Sequence, residues 1–201
     1  MKRISTAAIM LVAVAFISPQ CTDEKKEDAS EVKPTVAQYG AFDSQVKWGE
    51  HLVKIGGCND CHTPKKMGPN GIELDMSLML SGHPAQMPPA DFDPKEAAKK
   101  GLIVTQTFTA WTGPWGTTYA VNLTSDSTGI GNWKEEQFVK CLHEKKWMGL
   151  DNTRPLMPPM SMMPVTEMSE DELKAVFAYL KTTPALKNVA PQAALLPPPA
   201  K

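Results

Sequence analysis

Apolar residues recur at helical spacing in three separate stretches of the chain, and these define its expected framework. In the first, Val46, Gly49, Leu52 or Val53, and Gly56 fall on one helical face, with Asp43 or Ser44 as N-cap and Gly56-Gly57 as the stop. The second is "NWKEEQFVKCLHEKKW", where Asn132 and Glu135 have capping-box spacing and Phe138, Cys141, Leu142 and Lys145 define a face. The third is the clearest. Ser169 with Glu172 makes a capping box, acids crowd the first turn, and Leu173, Val176, Phe177 and Leu180 give an i, i+3, i+4, i+7 stripe that Pro184 soon ends.

Between these helices the periodicity fails. Stretches such as "HPAQMPPADFDP", "TGPWGTTY" and "TSDSTGIGNW" are rich in turn residues, so residues 63–131 read mostly as loop. Only "LIVTQTFTAW", Leu102 to Trp111, has the β-branched and aromatic alternation of a strand or hairpin arm. Loops of that extent are unusual inside a compact domain, unless something other than protein fills part of the core.

The chain ends carry different patterns. Lys2 and Arg3 precede the apolar run Thr6–Ile17, which is short for a membrane span and reads as a signal peptide over residues 1–20. Cys21 follows, where a lipoprotein cysteine would be acylated; Gln20, in place of a small residue, leaves plain cleavage as the alternative. Residues 21–41 form a polar tether of mixed charge with too little apolar content to fold. Residues 42–186 make the folded domain, and residues 187–201 a Pro-rich tail read as extended or disordered.

Composition adds two exclusions. At 201 residues, 42% of them hydrophobic, the chain suits one ordinary domain. Loss of residues 1–20 removes only two basic residues from a chain of net charge −1, too small a charge for a nucleic-acid binder. With Cys21 set aside, Cys58, Cys61 and Cys141 are an odd set, which disfavours a disulfide-stapled scaffold.

The chemistry concentrates in "GGCNDCHTPKK", Gly56 to Lys66. Zinc needs four ligands, and no second paired cluster exists; Cys141 and His143 fall on different faces of their helix. A redox dithiol wants a helix that begins at its first cysteine, whereas here a helix ends there. C-x-x-C-H is the attachment sequence of covalent haem: Cys58 and Cys61 form thioethers and His62 becomes the proximal iron ligand. The sixth ligand is sought in "RPLMPPMSMMP", which holds Met157, Met160, Met162 and Met163. Met/His ligation raises the potential and suits electron transfer. His83 is the histidine alternative, expected in an exposed loop, and His51 and His143 are read as solvated or packed residues.

The motifs "GGCNDCHTPK", "NLTSDSTGIGNWKEEQF" and "RPLMPPMSMMPVTEMSEDELKAVFAYL", in that order over residues 43–190, resemble the monohaem class I c-type cytochromes, similar to cytochrome subunits associated with bacterial dehydrogenases. The resemblance implies a mainly α class I cytochrome c fold, with three main helices plus long loops around one covalently bound haem c. It implies that the first and last helices cross, with Gly49 against Phe177 or Tyr179. Met160, in its "PPM" context, is implied as distal ligand, with Met163 and then Met157 as alternatives. Asn122, Ile130 and Trp133 look like haem-pocket wall and propionate-side residues.

The expected function is that of an exported, periplasmic electron carrier rather than an enzyme, tethered to the membrane if Cys21 is lipidated. It would serve redox partner proteins such as a dehydrogenase, an oxidase or another cytochrome, with Lys65 and Lys66 near the docking side. A haem sensor or enzyme with an open or His-ligated sixth position is one alternative. A Met-rich copper-handling protein is another, since four thioethers within seven residues suit Cu(I).

Overall fold

The computed structural model describes residues 39–197. The signal peptide, Cys21 and most of the tether lie outside the described residues. In chain order the elements are α1 (Gln45–Ile55), α2 (Cys58–His62), β1 (Lys65–Gly68), β2 (Gly71–Leu74), α3 (Pro94–Lys100), β3 (Val104–Gln106), β4 (Ala110–Gly113), β5 (Gly116–Tyr119), α4 (Glu135–His143), α5 (Glu170–Leu180) and β6 (Ala194–Leu195). Strands β1 and β2 form a hairpin, and β3-β4-β5-β6 an antiparallel sheet. Among the described residues no helix is long and apolar enough to cross a membrane.

The crossing of α1 over α5 organises the helical part. Ser44 caps α1 by accepting the Lys47 amide at 3.2 Å. At Gly49 a Cβ would run into the Ala175 carbonyl and lie 3.0 Å from Tyr179 Cβ, so the helices meet backbone to backbone. The partners of Gly49 are thus Ala175 and Tyr179. Phe177 instead turns to Phe138 on α4, with ring centroids 5.4 Å apart. Helix α5 carries the full capping box, with Glu172 N donating to Ser169 Oγ at 3.3 Å and Ser169 N to Glu172 Oε2 at 2.7 Å. Its stripe of Leu173, Val176, Phe177 and Leu180 is buried in one cluster with Leu52 and Val53 of α1 and Phe138 of α4. Burial of each such side chain contributes about 1.5–3 kcal/mol.

Several expectations are corrected. Three main helices become five, joined by two small sheets; residues 63–131 remain mostly loop, but they carry β1 to β5 and α3 as short elements. Helix α3 has a Pro at its start, an Asp93 cap and the left-handed Gly101 as its stop, but buries only Ala97, which leaves no apolar stripe to read. Hairpin β1–β2 is exposed on most of its surface, so its burial never alternates. The predicted strand at Leu102–Trp111 breaks into β3 and β4 at Thr107 and Phe108, whose φ values of 49° and 55° turn the chain. Asn132 caps nothing: a turn closed by Trp133 N on Ile130 O at 3.0 Å holds it outside α4, which starts at Glu135 with no side-chain cap. The described part of the tail, residues 187–197, adds β6 to the edge of β5, a pairing that no periodicity announced.

His83 is buried rather than exposed. Its Nδ1 lies 2.9 Å from Thr109 Oγ1, its ring packs on Tyr119 at 4.9 Å, and its Nε2 has no partner among the described residues. Burial holds its pKa below the ordinary 6.5, so the folded state favours the neutral ring.

Two predictions follow from this packing. Gly49→Ala is expected to cost about 1–3 kcal/mol in denaturant unfolding of the haem-loaded protein, because the obstacle is backbone and cannot rotate away. For His83 the unfolded state takes up a proton first, so stability held above pH 6.5 is lost as pH falls through that value. The drop in stability from about pH 7 to about pH 5 is expected to be shallower in His83→Gln than in the parent chain, measured by thermal melts across that range.

Candidate functional site

The motif is built at the end of α1. Gly56 N donates back to Leu52 O at 2.8 Å, and Gly57, at φ +67°, swings the chain into the single helical turn of α2, so a helical turn does begin at Cys58, where the sequence predicts only a helix end. That turn is clamped from three sides. Thr63 Oγ1 donates to Asn59 Oδ1 at 2.9 Å and accepts from Leu80 N at 2.9 Å, while Lys65 Nζ donates to Asp60 O at 2.6 Å and Thr63 O at 2.7 Å. The lysine satisfies carbonyls that a helix end leaves unpaired.

Cys58 and Cys61 are both half-buried free thiols. Burial pushes the Cys58 thiol up to about 11 and raises Cys61 as well. A redox dithiol needs the opposite, a thiolate stabilised at neutral pH. His62 is buried and donates from Nδ1 to the Val121 carbonyl at 2.8 Å. A carbonyl only accepts, so the proton sits on Nδ1 and Nε2 keeps its lone pair. Burial also pulls the His62 pKa down, which favours the neutral, ligand-competent ring.

Cys58, Cys61 and His62 open onto a largely apolar cavity of about 300 Å³, reached by α4, α5, β5 and the methionine segment. Met157, Met160 and Met163 all line it, whereas Met162 is 67% exposed. Thr118 Oγ1 on β5 donates to Pro158 O at 2.8 Å, which ties the methionine segment to the sheet. Asn122, Ile130 and Trp133 line the cavity too. Asn122, however, spends its side chain on protein: Oδ1 accepts from Thr124 N at 2.9 Å, and Nδ2 donates to Leu186 O at 2.7 Å and Thr128 Oγ1 at 3.1 Å.

The other three histidines are not brought to the cavity. His51, His83 and His143 are absent from its walls; His143 sits on the solvent side of α4 with Nε2 at 2.8 Å from Met168 O. Cys141 faces the cavity as a buried residue whose thiol is pushed up to about 11 by burial. Among the described residues no three His, Cys, Asp or Glu side chains converge as a metal-ion site.

Sequence reasoning missed Trp147 and Arg154 in the walls. The Arg154 guanidinium lies 3.9 Å over the Trp147 ring and forms no ion pair among the described residues. Its place next to "PLMPP" was the available signal. The tail residues Val189–Ala193 were missed as well, for want of any periodicity. Two thiols, an imidazole with a free lone pair, thioethers, apolar walls and an unpaired cation fit a haem, whose iron takes His and Met and whose periphery carries carboxylates.

Comparison with known proteins agrees with this chemistry. The Gluconate 2-dehydrogenase cytochrome c subunit of Pantoea cypripedii is 28% identical over 154 residues, covering 76% of this chain and 25% of the relative. The Alcohol dehydrogenase (quinone), cytochrome c subunit of Gluconobacter oxydans (strain 621H) is 26% identical over 189 residues, covering 92% of this chain and 28% of the relative. The chain therefore spans about a quarter of the length of these curated relatives. The Cytochrome c family itself matches residues 46–184, from α1 through the end of α5, and the chain belongs to that family.

Proposed function

We propose that the protein is an exported monohaem cytochrome that carries electrons in the periplasm, with haem c attached through Cys58 and Cys61. His62, through Nε2, and Met160, through its thioether, would hold the iron. The observation that carries this reading is the His62 Nδ1 bond to Val121 O, which presents a fixed, neutral imidazole beside both thiols in the cavity that Met160 also lines. Haem bound there supplies a one-electron iron couple, with a potential set by its axial ligands and surroundings.

The chain's own residues do the rest. Met160 and Met163 both pack against the core, and Met160 is preferred for its "PPM" context. Burial raises both half-buried thiols, which favours their protonated form at neutral pH. Arg154, stacked on Trp147, would be available to pair with the cofactor's carboxylates. The names of the relatives support a place beside a dehydrogenase as the electron donor, and acylation of Cys21 would keep the carrier at a membrane.

Axial ligation is tested by substitution in the haem-loaded protein. Met160→Ala is expected to abolish the methionine-to-iron charge-transfer band and lower the midpoint potential, while Met157→Ala and Met163→Ala retain the band. Loss of the band in Met163→Ala alone would move the ligand to Met163. Removing one anchor, by Cys58→Ala, is expected to reduce the yield of covalently attached haem severalfold and to shift the reduced absorption maximum, read on denaturing gels stained for haem and by spectroscopy.

A further inference from the structure

The stretch after α5 is fastened to the domain with more hydrogen bonds than a tail needs. Asn188 alone makes five. Its backbone N donates to Thr128 Oγ1 at 3.0 Å, its Nδ2 to Ser81 O at 2.7 Å and His83 O at 2.8 Å, its Oδ1 accepts from Ala85 N at 3.0 Å, and its backbone O accepts from Asn122 Nδ2 at 3.4 Å. Just upstream, Leu186 exchanges bonds with Thr124 Oγ1 at 3.2 and 3.3 Å.

The far end is fastened independently. Strand β6 pairs with β5, with Gly116 opposite Leu195, and Leu196 N donates to Trp115 O at 2.9 Å. Gly116 has φ +108°, and a Cβ there would collide with the Ala194 carbonyl. The sheet edge thus has a glycine where the incoming backbone must sit close. Between the two anchors, Val189–Ala193 have no regular structure, and all five line the cavity that Cys58, Cys61 and His62 open onto. Five residues reach at most about 17 Å, a span of cofactor size.

We infer that residues Val189–Ala193 are a wall of the haem site, a strap that keeps water from one side of the cavity, and that Asn188 is the positioning residue that holds it there. This rests on the haem reading above. A dry wall disfavours the more positively charged oxidised iron, so the strap raises the reduction potential and blocks small reagents on that side. The same strand β5 that receives the strap also holds the methionine segment through Thr118, so strap and ligand segment share one support.

The test uses the full-length, haem-loaded protein. Asn188→Ala is expected to keep covalent haem while lowering the midpoint potential and speeding reduction by ascorbate severalfold. A merely structural role is separated by a charge pair at Ala190, which lies between the anchors. Ala190→Lys is expected to raise the potential and Ala190→Glu to lower it, the two differing by about tenfold in reduction equilibrium, about 59 mV for a one-electron couple. The pair also carries the test if Asn188→Ala does not accumulate. Covalent haem with the same potential and ascorbate rate in parent and variants overturns the strap and leaves the proposed function standing. A parent protein without covalent haem overturns both.

Discussion

The hydrogen bond from His62 Nδ1 to the Val121 carbonyl is the constraint around which the site is assembled. It fixes the imidazole tautomer, and it joins the motif to a segment 59 residues away. The backbone on either side repeats the tie: Gly82 N donates to His62 O at 2.8 Å, His83 N to Ala120 O at 2.9 Å, and Leu123 N to Leu80 O at 2.8 Å. Residues 80–83 thereby lie between the motif and residues 120–123. The stretch between them that carries β1 to β5 leaves this tie and returns to it.

That arrangement explains what the amino-acid sequence disclosed and what it hid. Helices α1 and α5 were legible because each buries a stripe and each is capped by serine, and the C-x-x-C-H spacing was legible because thioether attachment demands it. Helix α3 and hairpin β1–β2 bury too little to leave a periodic trace, although Asp93-Pro94 and Gly101 marked the ends of α3. Asn132 misled because capping-box spacing is a local signal, and the turn at Ile130–Trp133 overrode it. The pocket was half legible. Motif neighbours such as Ile130 and Trp133 were found, whereas Trp147, Arg154 and the strap join it only through tertiary folding.

The methionine segment is crowded where it meets the cavity. Of its four thioethers three line the cavity and one faces solvent, so proximity narrows the choice without making it. His83, the rival by residue type, is instead spent inside the domain against Thr109 and Tyr119.

The central claim is that a single haem is bound covalently at Cys58 and Cys61. Its most direct test is the intact mass and alkaline pyridine spectrum of the protein purified after export from a host with c-type maturation. The account predicts a mass increase of one haem per chain that survives denaturation, with the reduced spectrum of two thioether bonds. A chain whose mass shows no haem, or whose haem is extracted by acid and organic solvent, would contradict it.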